Sequence, residues 1–200
     1  SKSRDTDPLS FIVWRSFEAG YYWMLASYDN CLEAVNDGLK TSEETGIHIW
    51  DFMFYLIGAM TNTTSGNPEQ AQMFLDKMSA VMNPSAYAIL GFYYYHSVFV
   101  SRLRGDVREA LEYAKAGLDN VLKSGVPWGI AMGSFALGTA LLDHNKREKG
   151  LALLADAQRI AFHIKSNTAA YLSLISKAEY FLLRNEEKMG LDALSKAFAI

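Results

Sequence analysis

Residues able to begin a helix recur along this chain at an almost constant interval, and this period constrains the fold more than any other feature. They are Asp29, Asn67, Asp106, Asn145 and Asn185, and they stand 38, 39, 39 and 40 residues apart. The side-chain oxygen of Asp or Asn can accept a free N–H group of a first helical turn. A period near 40 residues with two helices per period is typical of an α-solenoid, in which each helix pair buries its face against the next.

The helices before and after each of these residues differ in character. The first helix of each pair is apolar almost all round, and these helices are predicted at 9–26, 47–61, 85–103, 126–142 and 167–183. The second helix is amphipathic, which is typical of a helix with one face in solvent. A small residue follows each cap by four or five positions, which would let neighbouring helices approach closely; these residues are Ala34, Ala71, Ala110, Gly150 and Gly190.

The sequence therefore predicts an all-α fold, a right-handed α-solenoid of about five helix-turn-helix repeats of roughly 40 residues. Residues 9–200 would form a single superhelical domain, and residues 1–8 a disordered or cloning-derived tail. The last helix runs to Ile200 without a stop signal, so we expect the chain to be a fragment of a longer protein.

Composition argues against several functional classes. The charged residues give 19 − 22 = −3 with no basic block, so we expect no direct nucleic-acid contact. Cys31 is the only cysteine, and no N-terminal signal pattern is present, which favours the cytoplasm. The uncharged run 124–142 contains Pro127 and several glycines, so it reads as a buried helix and not as a membrane span.

No catalytic signature is present. The chain contains no phosphate-binding loop, no HExxH and no GxSxG, and its four histidines lack a regular ligand spacing; they are His48, His96, His144 and His163. The expectation is that the protein is not an enzyme and holds neither a cofactor nor a metal ion.

The central pair of helices resembles a tetratricopeptide repeat. The residues that fall at the spacing of that motif are Leu137, Gly138, Leu141, Asn145, Gly150, Leu154 and Ala157. The longer repeats and the texture of 157–174 are similar to the helical sensor region of the MalT-like, LuxR-type ATP-dependent transcription regulators. In such proteins the superhelix receives an inducer or a partner, while the nucleotide-binding and DNA-binding parts lie elsewhere.

The same resemblance places a groove on the concave face, lined by the first helices. The groove positions are Phe92, Tyr95, Phe99, Arg102, Met132 and Phe135, with Met53 and Leu56 in the second repeat. Aromatic rings beside an arginine could seat a ring, a sugar face, a peptide or a helix. Tight winding or a flanking domain could also fill the groove.

The predicted function is a non-enzymatic ligand-binding or protein-binding module, the signal-sensing or interaction domain of a bacterial transcription regulator. Its partner would be a protein or peptide segment, or a small inducer, in the groove. The alternative is a protein–protein scaffold or assembly factor without small-molecule input. We also expect no membrane contact, and an exposed terminal repeat could form a homodimer.

Overall fold

The structure is a computed structural model that describes residues 7–200. Residues 1–6 of the predicted tail lie outside the described residues, and Pro8 is already the first residue of a helix. The described chain divides into two compact units, which meet in sequence between Asn83 and Pro84.

The described residues form α-helices and contain no strand. Unit 1 holds α1 (Pro8–Met24), α2 (Tyr28–Thr45), α3 (Asp51–Thr64) and α4 (Pro68–Val81). Unit 2 holds α5 (Tyr87–Leu103), α6 (Val107–Ser124), α7 (Pro127–Asp143), α8 (Arg147–His163), α9 (Asn167–Leu182) and α10 (Glu187–Phe198).

Within each unit, every helix packs against the helix that follows it in the chain. The first helices of neighbouring hairpins also pack on each other, α1 on α3 in unit 1, and α5 on α7 and α7 on α9 in unit 2. This is the pattern of a helical repeat, in which each hairpin completes the burial of its neighbour. The predicted all-α repeat fold is confirmed, and the right-handed winding stays a prediction.

The turn inside each hairpin keeps the period. One residue of every such turn adopts the left-handed conformation, with φ between 54° and 78°; these residues are Ala26, Gly66, Gly105, Asn145 and Asn185. The next residue donates its N–H to a carbonyl five positions back, as Lys146 does to Leu141 at 2.8 Å. This is the 6→1 hydrogen bond of a Schellman motif, which closes the preceding helix. The left-handed residues lie 40, 39, 40 and 40 apart, a more even spacing than that of the predicted caps.

The caps predicted from sequence are right in part. Asp106 accepts the N–H of Glu109 at 2.9 Å and caps α6. Asn67 is the N-cap of α4 but makes no side-chain cap bond, and Asp29 lies within the first turn of α2. Asn145 and Asn185 were wrong as caps, because each precedes the N-cap and holds the left-handed turn position, which Asn tolerates better than most residues.

Counting from the left-handed turn residues, and not from the predicted caps, changes the register of the first hairpin. Five residues after the left-handed turn residue stand Cys31, Ala71, Ala110, Gly150 and Gly190, and all of them are buried. Cys31 therefore occupies the position that the sequence assigned to Ala34, although Ala34 is also fully buried. Helices α7 and α8 approach closely, since a Cβ atom on Gly150 would lie 2.9 Å from the Gly138 carbonyl oxygen.

Across residues 7–200, no helix combines the length and the apolar character that spanning a bilayer requires.

Candidate functional site

The predicted groove residues of α5 form one row in the structure. Phe92, Tyr95, Phe99 and Arg102 follow one another at spacings of three, four and three residues, which places them on one face of the helix. All four are half-buried, so each offers part of its surface. At 1.5 Å per residue the row is about 15 Å long. We call these four residues the α5 row.

Aromatic packing beneath the α5 row holds it in place. The ring centres of Tyr95 and Phe99 lie 4.9 Å apart, and Phe135 of α7 lies 5.8 Å from Phe99. Phe135 and Met132 are 3% and 6% exposed and belong to the core of unit 2. As placed, these two predicted groove residues support the row and have almost no surface of their own to offer a ligand.

The other two predicted groove residues lie on α3 of unit 1. Met53 is half-buried, whereas Leu56 is 6% exposed and is part of the core. Met53 is therefore the accessible member of this pair. The binding role predicted for all eight residues stays a prediction.

An apolar recess lies at the N-terminal end of the α5 row. Phe92 and Trp128 of α7 stand over it with ring centres 5.4 Å apart, and Tyr95 and Met132 also line it. Its volume is about 70 Å³, roughly that of two water molecules. The glycines that line the recess have no side chain to fill it. They also let the helices pack closely, because a Cβ atom on Gly91 would lie 2.3 Å from Val121 Cγ1. The recess has room for a small apolar side chain.

A polar cleft of about 280 Å³ lies at the opposite end of the row, between the C-terminal ends of α5, α7 and α9. Here Arg102 donates from Nε to Asp143 Oδ2 at 2.6 Å, and its guanidinium carbon lies 5.8 Å from the Phe99 ring centre. Arg102 is thus oriented by a carboxylate on one side and an aromatic ring on the other.

A second arginine borders the same cleft. The guanidinium carbon of Arg184 lies 3.9 Å from the Tyr180 ring centre, and Arg184 Nη2 donates to Asn145 Oδ1 at 2.6 Å. With Asp143 and Glu179 also lining it, the cleft has two positive and two negative side chains. A neutral group that both donates and accepts hydrogen bonds, such as a peptide unit, matches this arrangement better than an ion does.

Several of these residues were not found from sequence. Trp128, Asp143, Tyr180 and Arg184 all line one end of the row or the other. Asp143 carried a signal, because it is the first charged residue after the uncharged run 124–142. The others carried none, since their contacts depend on which helix lies opposite.

A second exposed apolar surface lies on α1. Trp14, Phe17, Tyr21 and Met24 are 54%, 69%, 57% and 72% exposed and lie on the side opposite its buried residues. The equivalent face of α3 is buried within unit 1. Thr61, which corresponds to Tyr21 when the turns of the two hairpins are aligned, is 0% exposed. The α1 stripe therefore lies where a neighbouring helix packs on other hairpins. The terminal-repeat homodimer stays a prediction.

Within residues 7–200, no three His, Cys, Asp or Glu side chains come together as a metal-binding group. Compared with protein-family models and with curated proteins, the chain matches none of them. The architecture shown is an all-helical repeat.

Proposed function

We propose that this chain is a non-enzymatic helical-repeat module that binds a segment of a partner protein along the α5 row. One observation carries the proposal: a half-buried row of three aromatic residues and an arginine, supported from below, ends in an apolar recess and in a polar cleft. Preorganised aromatic and arginine side chains of this kind dominate binding energy at protein interfaces.

The dimensions favour a chain segment over a compact small molecule. Small-molecule sites usually enclose most of the ligand in a single pocket of about 300–1,000 Å³. Here the recess is about 70 Å³ and the cleft about 280 Å³, and they lie at opposite ends of the row. An extended peptide of about four or five residues would span the roughly 15 Å between them.

The two ends would recognise different parts of that segment. An apolar side chain enters the recess between Phe92 and Trp128, and a peptide unit meets Arg102 and Asp143 in the cleft. Arg102 then donates to a carbonyl oxygen and Asp143 accepts an N–H. Because both of these groups belong to the peptide backbone, the cleft does not select for particular side chains of the segment. Specificity would come from the recess and from the surface around it.

The finer proposal places this module in a tetratricopeptide-like sensor region of a bacterial transcription regulator. Its support is the 39–40-residue hairpin period together with the apolar first helices. Binding would act by population shift, because a segment that contacts α5, α7 and α9 together stabilises one spacing of these helices over others. A DNA-binding or nucleotide-binding segment in the same polypeptide would support this proposal, and a polypeptide without one would favour the simple scaffold.

Site-specific photocrosslinking tests the proposed face. A benzoylphenylalanine replaces Phe92 in the full chain, in cells of the source organism, and the control replaces Phe162, an exposed aromatic residue on α8. We expect protein adducts at position 92 that mass spectrometry traces to one short segment of a partner. Adduct yields no higher at 92 than at 162 would refute the proposal. Native mass spectrometry could instead show a small molecule that co-purifies with the protein and is lost in Phe92→Ala. That result would indicate that a small inducer, and not a protein segment, binds this face.

A further inference from the structure

A second groove of unit 2 lies between the second helices α8 and α10, with α9 at its floor. Its volume is about 620 Å³. Leu151 and Met189 supply apolar surface on its two walls, while the nearly buried Leu174 and Phe181 lie with Lys177 at the floor. Lys188 and Lys196 of α10 border the groove, together with Gln158 of α8 and Asp192. We call it the α8–α10 groove.

Hydrogen-bond donors in this groove outnumber the acceptors. Lys177 Nζ donates to Gln158 Oε1 at 3.0 Å, which uses the amide oxygen. The amide nitrogen of Gln158 is buried and has no hydrogen-bond partner. A buried donor without an acceptor costs free energy, so an acceptor supplied from outside would be stabilised here.

The charge of the groove is opposite to that of the whole chain. Three lysines and Asp192 give 3 − 1 = +2, against −3 for the full sequence. Asp192 is already paired with Lys196 at 2.6 Å. Burial, and after it the charge of Lys196, lowers the pKa of Lys177, so these two ammonium groups oppose each other in the groove. A bound anion would relieve that repulsion.

The preceding hairpin pair has apolar residues at the corresponding positions. Counted from the left-handed turn residues, Lys177 corresponds to Leu137 and Gln158 to Leu118, and both leucines are partly buried. Ala193 corresponds to the larger Leu153.

Two positions on the rim of the groove reverse their charge as well. Lys188 corresponds to Glu148, and Lys196 corresponds to Asp156. From one repeat to the next, two leucines are thus replaced by hydrogen-bond donors, a third leucine by the smaller alanine, and two acidic residues by lysines.

We propose that the α8–α10 groove binds an acidic segment of a partner protein, with its carboxylates on Lys177, Lys188 and Lys196 and an apolar side chain against Leu151 and Met189. The inference rests on the proposed function, since it assigns a second contact to the same protein-binding module. Charge complementarity and the apolar floor together favour an acidic peptide over a nucleic acid, whose recognition requires a wider basic face.

Peptide selection tests the proposal without a known partner. A displayed library of random twelve-residue peptides is selected on the full chain, and enriched peptides are measured by fluorescence anisotropy against the full chain and against Lys188→Glu/Lys196→Glu. Both lysines are exposed, and the preceding repeat holds Glu148 and Asp156 at these two positions, so the variant should fold. The matched control is Lys115→Glu, an exposed lysine on α6.

We expect enriched peptides with several Asp or Glu residues beside a large apolar residue, and binding about tenfold weaker in the double variant but unchanged in Lys115→Glu. Enriched peptides without an acidic excess, or with equal affinity for the double variant, would refute the binding of an acidic segment in the α8–α10 groove, while the proposed function would stand. If no peptide is enriched at all, both fail. A single-stranded oligonucleotide that binds the groove more tightly than every selected peptide would also overturn the acidic segment.

Discussion

Substitution of Gly150 by alanine tests the close approach of α7 and α8 within their hairpin. The added Cβ atom would lie 2.7 Å from Leu142 Cδ2, 2.8 Å from Leu142 Cγ and 2.9 Å from the Gly138 carbonyl oxygen. Leu142 is 3% exposed and the carbonyl belongs to helix α7, so neither can move without shifting the packing between α7 and α8.

The expected sign follows from two opposing terms. Overpacking a core position costs about 1–3 kcal/mol, and alanine in place of glycine inside a helix returns about 1 kcal/mol. Because the added Cβ atom meets a backbone oxygen as well as a buried side chain, the cost lies in the upper part of that range, at about 2–3 kcal/mol. We therefore expect a net loss of about 1–2 kcal/mol in the free energy of unfolding, or a melting temperature lower by about 2–8 °C.

Gly20 on α1 is the matched control, because a Cβ atom there would meet no heavy atom within 4 Å. Gly20→Ala should therefore raise the free energy of unfolding by about 0.5–1 kcal/mol. Both variants are compared in urea titrations followed by circular dichroism. Equal shifts of the same sign in the two variants, or a Gly150→Ala protein as stable as the parent, would refute the packing argument.

Two further predictions concern a strained turn and a titrating side chain. Ala26 is in the left-handed conformation at φ 54°, where the other hairpins have Gly or Asn, so Ala26→Gly should raise the midpoint of thermal unfolding by relieving about 1 kcal/mol of strain; a lowered midpoint would count against the turn geometry. Burial lowers the pKa of His96 to about 4 from 6.5, so the unfolded chain takes up a proton below pH 6.5 that the folded chain does not bind until about pH 4. The free energy of unfolding should therefore fall between pH 6.5 and 4, and His96→Gln should lose less over that range; identical pH profiles for the parent and the variant would contradict this.

The sequence by itself determined the fold class, the order of the helices and the α5 row. These features depend on local properties: apolar residues at helical spacing, turn residues every 39–40 positions, and side chains three or four residues apart on one helix. The apolar first helices and the amphipathic second helices could be read directly, because a helix that packs against several neighbours carries no broad polar stripe.

Only the tertiary structure decided which of those residues remain accessible. Arg102 meets Asp143, 41 residues away, and Phe135 lies in the core beneath Phe99, because α7 packs against α5. Whether Asn145 caps a helix or turns the chain depends on the conformation of its own backbone, and Asn suits both roles. The basic α8–α10 groove forms only when α8, α9 and α10 pack together, since Gln158 comes from α8, Lys177 from α9 and the other two lysines from α10. Accessibility and charge at a surface are sums over several helices, and their packing, unlike their periodicity, is not a local property of the chain.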